Sequence, residues 1–129
     1  MRLRWPDEFD AWLRRAQRKS REGNAYHRRQ LELVAAGLRM LRDLESPPAE
    51  DTAGLKRVAQ SKNHQVWRTS HPFEKGIAVR LICWFPPESD KVVVALFGGE
   101  KARIGDVWYS TVGHRADRVI EQWLREQGR

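Results

Sequence analysis

The chain is 129 residues long, 40% hydrophobic and 32% charged, which bounds it to one domain with a single modest core. No apolar run approaches the ~20 residues that a membrane helix needs, and the opening MRLRWPDEFDAW has neither the apolar h-region nor the small-residue cleavage site of a secretory signal. A net charge of +7 gives the chain a field that attracts polyanions, so nucleic acid or an acidic protein partner is favoured. The lone cysteine, Cys83, excludes an internal disulfide and suits a reducing cytosol. It reads as a small buried hydrophobe on the apolar face of a strand, and a cytoplasmic protein is expected.

Residues 2–5 read as a short edge strand, which Pro6 ends where a helix can start. Phe9, Trp12, Leu13 and Ala16 then recur at i, i+3, i+4 and i+7, one helical face. Asp7 and Glu8 at its start, with Arg14, Arg15, Arg18 and Lys19 later, suit the helix dipole. Gly23 supplies a C′ residue and Asn24 an N-cap, so a second helix is expected from about residue 25 to 44, antiparallel to the first. Leu31, Val34, Leu38 and Leu41 line its expected buried side. Between residues 14 and 29 stand seven Arg or Lys against one acid, Glu22: either a solvated helix face or a nucleic-acid contact.

Ser46-Pro47-Pro48 stops the second helix, and the stretch to about residue 63 lacks strong periodicity. Leu55 and Val58 can pin it to the core as a short strand or turn. Residues 65–70 (QVWRTS) read as a strand with Trp67 and Thr69 on one face, Val66 and Arg68 on the other. In residues 77–85 the odd positions Ile77, Val79, Leu81, Cys83 and Phe85 share an apolar face, and Arg80 lies on the other with Ala78, Ile82 and Trp84. A mid-strand guanidinium is costly to bury unless paired, so that face is expected to meet solvent or a ligand. PPESD (residues 86–90) turns the chain into a third strand over 91–97, and Gly98-Gly99 reads as a turn. A closing helix over 114–127 presents Ala116, Val119, Ile120, Trp123 and Leu124 to the core. The expected fold is α+β in one domain over 1–129: an antiparallel sheet of 3-4 strands with an N-terminal helical hairpin and a C-terminal helix, in the order β-α-α-β-β-β-α. No Cys/His pair has zinc spacing and no P-loop or dinucleotide glycine pattern occurs, so neither metal nor cofactor is expected. His64, His71 and His114 invite a histidine-nuclease reading, since imidazole titrates near neutrality, but they are scattered without a shared strand face.

A helical hairpin followed by a three-strand meander, the stretch Gly76-Ile77-Ala78-Val79-Arg80-Leu81, a Val-Val-Val strand, then Lys101, Arg103 and a tyrosine six residues on, Tyr109, resemble the RelE/ParE superfamily of toxins of type II toxin–antitoxin systems. The opening LRWPDEFDAWL (residues 3–13) is similar to that family's first strand running into its first helix. In the RelE/HigB-like branch the resemblance implies a ribosome-associated, metal-independent mRNA endoribonuclease, an mRNA interferase that inhibits translation. Its implied partners are a cognate antitoxin protein, mRNA and the ribosome, with no membrane and no small-molecule ligand. Arg80 matches the family's central-strand arginine, Arg103 the arginine after the last strand, and Tyr109 the tyrosine. Of the two lysines often found on the first meander strand only Arg68 has a match; Val66 takes the other place, and Lys101 is the substitute. The ParE branch shares the fold but inhibits DNA gyrase by protein binding, and a non-catalytic RNA- or protein-binding module of the same fold is a further alternative.

Cleavage of RNA by in-line attack of a 2′-OH needs a group to take the 2′ proton, charge stabilisation at the phosphorus, and a proton for the 5′-oxygen. Arg80 and Arg103 suit the second task, because a guanidinium fork binds two phosphate oxygens and stays charged; the structural alternative for Arg80 is an ion pair with Asp106 or Glu100. Lys101 acts as a base or adds a phosphate contact, unless Lys101 and Arg103 merely sit in a solvated turn. Tyr109 orients the 2′-OH, transfers a proton, stacks a base, or lies half-buried as phenols commonly do. Trp108 is a stacking platform or a core residue. The catalytic candidates are thus Arg80, Lys101, Arg103 and Tyr109, and the RNA-binding candidates Arg68, Trp108, Arg14, Arg15, Arg18 and Lys19.

Overall fold

The structure, a computed structural model, describes residues 1–59, 63–70, 77, 79–100 and 106–127, with the side chains of all but residues 100 and 106–110. Its elements are β1 (Arg2–Arg4), α1 (Asp7–Arg21), α2 (Ala25–Arg42), β2 (Leu55–Arg57), β3 (Val66–Thr69), β4 (Val79–Trp84), β5 (Val92–Glu100) and α3 (Asp106–Gln127). The class is α+β, as expected, but the sheet is not an antiparallel one of 3-4 strands. It is mixed and five-stranded in the order β1-β5-β4-β3-β2. β1 runs parallel to β5, Arg2 to Arg4 lying opposite Val92 to Val94, while the other pairs are antiparallel. β2, three residues from the aperiodic stretch, adds the second edge. Strands this short carry no period of their own; their pairing partner, distant in sequence, defines them.

The helical hairpin forms where its capping chemistry lies. Pro6 is the N-cap of α1, Asp7, Glu8 and Asp10 fill its first turn, and Arg18, Lys19 and Arg21 its last. Gly23 takes φ +90°, the left-handed conformation that a side chain disfavours, and the Asn24 side chain accepts from the His27 N–H at 3.1 Å to start α2. The buried stripe of α2 is Gln30, Leu33, Val34, Gly37 and Leu41, with Leu31 and Leu38 only half-buried. Gly37 sets this rotation: a Cβ there would stand 3.0 Å from Leu81 Cδ1, so the helix lies closest to β4 at that residue.

The sheet is covered on both faces. Phe9, Leu33, Val34 and Leu41 of the hairpin pack on Trp67, Leu81, Cys83, Val93 and Ala95. On the other face Val112, Ala116, Ile120 and Trp123 of α3 pack on Val66, Ile82, Trp84, Val94, Leu96 and Phe97. All six residues of β4 are therefore buried. The expectation that the Arg80 face would lie open to solvent is corrected accordingly: its Ile82 and Trp84 pack in the α3-side core, and Arg80 is 7% exposed.

A β-bulge completes this arrangement. Ile82 lies opposite Phe97 and Cys83 opposite Ala95, leaving Leu96 as the extra residue, so Leu96 and Phe97 both enter the α3-side core. Gly98 and Gly99 do not turn; they continue β5 opposite Leu81 and Arg80. α3 begins at Asp106 rather than near residue 114; its first turns carry β-branched residues and Gly113, weak helix formers that hid them in the sequence. Leu124, expected in the core, is 37% exposed.

Candidate nucleic-acid interface

Arg80 opens the site, near the start of β4. Its even position puts it on the face of Ile82 and Trp84, and its Nη1 donates to the Val79 carbonyl at 3.1 Å. On β3, Arg68 lies opposite Ile82 and so projects from the same face, half-buried. On β2, Lys56 lies opposite Arg68, again on that face and half-buried. With strands ~4.8 Å apart, β2, β3 and β4 bring Lys56, Arg68 and Arg80 to one corner of the sheet. The apolar core on this face runs from Val66, Trp84 and Val94 up to Ile82, the residue opposite Arg68. Arg68 and Arg80 each make further contacts of their own. Sequence reasoning missed Lys56, because only Leu55 and Val58 signalled structure in that stretch.

α3 runs antiparallel to β5. The Arg115 guanidinium lies 4.0 Å from the Phe97 ring centre, and eight residues on, Trp123 meets Arg4, which pairs with Val94. Its first turn, which contains Trp108 and Tyr109, therefore points toward the end of the sheet where Gly99 faces Arg80. The side chains of Trp108 and Tyr109, and Lys101, Arg103 and His71 altogether, lie outside the described residues. Lys101 follows Glu100, the last residue of β5, which sits opposite Val79.

The basic residues of α1 do not join this corner. Arg14, Arg15, Arg18 and Lys19 are exposed on the helical layer that covers the opposite face. Arg14 pairs with Asp10 at 2.7 Å, whereas Arg15, Arg18 and Lys19 form no ion pair among the described residues. The RNA-binding candidates thus divide into two groups, separated by the sheet.

The histidines are not gathered either. His64 Nε2 is 2.8 Å from Glu121 Oε1 and its ring stands edge-on to Trp84 at 5.7 Å, at the far end of β4 from Arg80. His27 Nδ1 is 3.0 Å from Gln30 Oε1, and His114 is exposed on α3. Cys83 is fully buried, and desolvation pushes its thiol far above the usual range, which makes it inert as a nucleophile. Among the described residues no group of three or more His, Cys, Asp or Glu could hold a metal ion, and no helix is long and apolar enough to cross a membrane. No protein-family model, no curated protein and no solved structure matches the chain.

Proposed function

We propose that the chain is a RelE-like toxin of a toxin–antitoxin system: a ribosome-associated, metal-independent mRNA endoribonuclease of the cytoplasm, neutralised by a cognate antitoxin. The observation that carries this reading is the convergence of Lys56, Arg68 and Arg80 on one corner of one sheet face. Arginines there suit the charge that builds on a phosphorane-like transition state. Arg103 completes the clamp in this reading, Lys101 and Tyr109 serve the proton transfers, and Trp108 stacks a base. The exposed cations of α1 hold ribosomal RNA.

A second reading draws on the burial of Arg80: a guanidinium only 7% exposed presents little of its fork to a phosphate. It describes a module of the same fold that binds RNA or protein without cutting. The test is expression of the wild type and of an Arg80→Ala/Arg103→Ala/Tyr109→Phe variant, followed by primer extension on cellular mRNAs. New 5′ ends inside translated frames with the wild type alone are the expected result. Growth arrest with intact mRNA and blocked supercoiling would instead indicate a ParE-like gyrase inhibitor. Neither cleavage nor arrest would leave the binding module.

A further inference from the structure

We infer that Lys56 is a substrate-binding residue, holding the phosphodiester backbone of single-stranded RNA one strand beyond Arg68, so that the RNA crosses the strands and leaves the sheet over the β2 edge. The inference rests on the reading of the Arg68–Arg80 corner as an RNA site. Register provides its first support: Lys56 stands directly opposite Arg68, and Arg68 directly opposite Ile82, two residues from Arg80 on the same face. The three cations advance by one strand each, Lys56 to Arg68 straight across one inter-strand spacing of ~4.8 Å and Arg68 to Arg80 diagonally, two residues farther along β4, which is an oblique row across the strands rather than along one. The second support is the state of Lys56 itself, which forms no ion pair among the described residues although it faces an arginine.

The third support is the construction of the edge. The outward amides of β2 are already bonded, Leu55 N–H to Thr52 Oγ1 at 3.1 Å and Arg57 N–H to Asp51 Oδ1 at 2.9 Å. This edge therefore offers no ladder to another strand. Arg57 serves the opposite face, where its guanidinium lies 5.4 Å from the Trp67 ring centre and donates to the Ala49 carbonyl. Of the three residues of β2, only Lys56 projects toward the corner.

The test uses the full chain and single-stranded 2′-O-methyl RNA of about twelve nucleotides, which lacks the attacking 2′-OH and so reports binding alone. Anisotropy titrations at several salt concentrations compare the wild type with Lys56→Gln, Lys56→Arg, Arg68→Gln and the distant exposed Lys91→Gln. The expected result is a roughly 3- to 10-fold weaker Kd at low salt for Lys56→Gln, a salt slope shallower by ~0.7, and near-wild-type values for Lys56→Arg and Lys91→Gln. If Arg68→Gln weakens binding and Lys56→Gln does not, the inference falls and the RNA reading stands. If Lys91→Gln loses as much as Lys56→Gln, the effect is one of net charge and the inference falls. Loss in Lys56→Gln with a lowered Tm and no recovery in Lys56→Arg would mark a structural role and overturn it likewise. A wild type that does not bind, or an Arg68→Gln variant that binds unchanged, removes the RNA reading itself.

Discussion

Gly98 lies directly beneath the Trp12 ring of α1: a Cβ there would stand 2.7 Å from Trp12 Cη2 and 2.8 Å from its Cζ3. The flat indole lies where any side chain on β5 would be, so glycine is required for space rather than for a turn. Gly98→Ala is expected to destabilise the fold by about 1–3 kcal/mol, the range for overpacking a well-packed site. Adding Trp12→Leu should recover part of that loss, because the colliding ring is gone. Urea unfolding of the two variants and the wild type checks this, and a Gly98→Ala curve that coincides with wild type would contradict the close approach. The glycine pair misleads in sequence because Gly-Gly is a strong turn signal, whereas a glycine inside a strand marks a neighbour that comes near. Arg80 gives a similar lesson. Strand parity placed it on the correct face, but nothing in the alternation of β4 could announce that α3 covers that face.

At the scale of the element, β2 shows how a short edge strand is kept single. Asp51 and Thr52 close its outward amides, and Ser70 Oγ donates to the Ala53 carbonyl at 2.6 Å to pin the preceding turn. Asp51→Ala/Thr52→Ala should cost about 1–2 kcal/mol in thermal unfolding, from two lost hydrogen bonds near the surface. It should also raise self-association at high concentration in sedimentation, since a bare edge pairs with other strands. Unchanged sedimentation would mean that the edge is protected by something other than these two side chains. The opposite side of the sheet is closed differently. β1 pairs only with Val92 to Val94, and beside the remainder of β5 Arg115 spans from Phe97 to Glu8, with Nη2 and Nε at 2.9 and 3.2 Å from Glu8 Oε1. That contact links the two helical layers around the sheet edge.

For the whole molecule, two groups of basic residues, those of α1 and those at the Lys56–Arg68–Arg80 corner, lie on opposite sides of one sheet. Along α1, Arg14 and Arg18, and Arg15 and Lys19, are like-charged pairs at i, i+4, each costing an isolated helix about 0.2–0.5 kcal/mol. The Asp10 carboxylate offsets this at Arg14 and the helix dipole offsets it in the last turn; under the proposed function the remaining cations contact ribosomal RNA. Replacing Arg15, Arg18, Lys19 and Arg21 by Gln is expected to weaken association with ribosomes at least 10-fold, with a shallower salt dependence. Binding of the short RNA at the Lys56–Arg80 corner should change little. Combined with Lys56→Gln the two effects should add, because sites this far apart without shared partners act independently. Co-sedimentation with ribosomes and anisotropy on the short RNA separate the two, and strong non-additivity would indicate one continuous surface.

The helical hairpin was legible because its signals are local: apolar spacing from Phe9 to Ala16, a glycine that can take positive φ, and an asparagine that caps. The alternation of β3 and β4 was legible for the same reason: it grouped Arg68 with Val66 and Arg80 with Ile82 and Trp84, and the pairing of the two strands then joined those faces. Cys83 was read as a small buried hydrophobe, and it is buried. What depended on residues far apart in the chain was decided only in three dimensions. The parallel pairing of β1 with β5, the five-strand order, the bulge at Leu96 and the burial of Arg80 all arise from long-range contacts that leave no local period. Lys56 belongs with these: a lysine in an aperiodic stretch gains a role only when β2 pairs with β3 and sets it opposite Arg68.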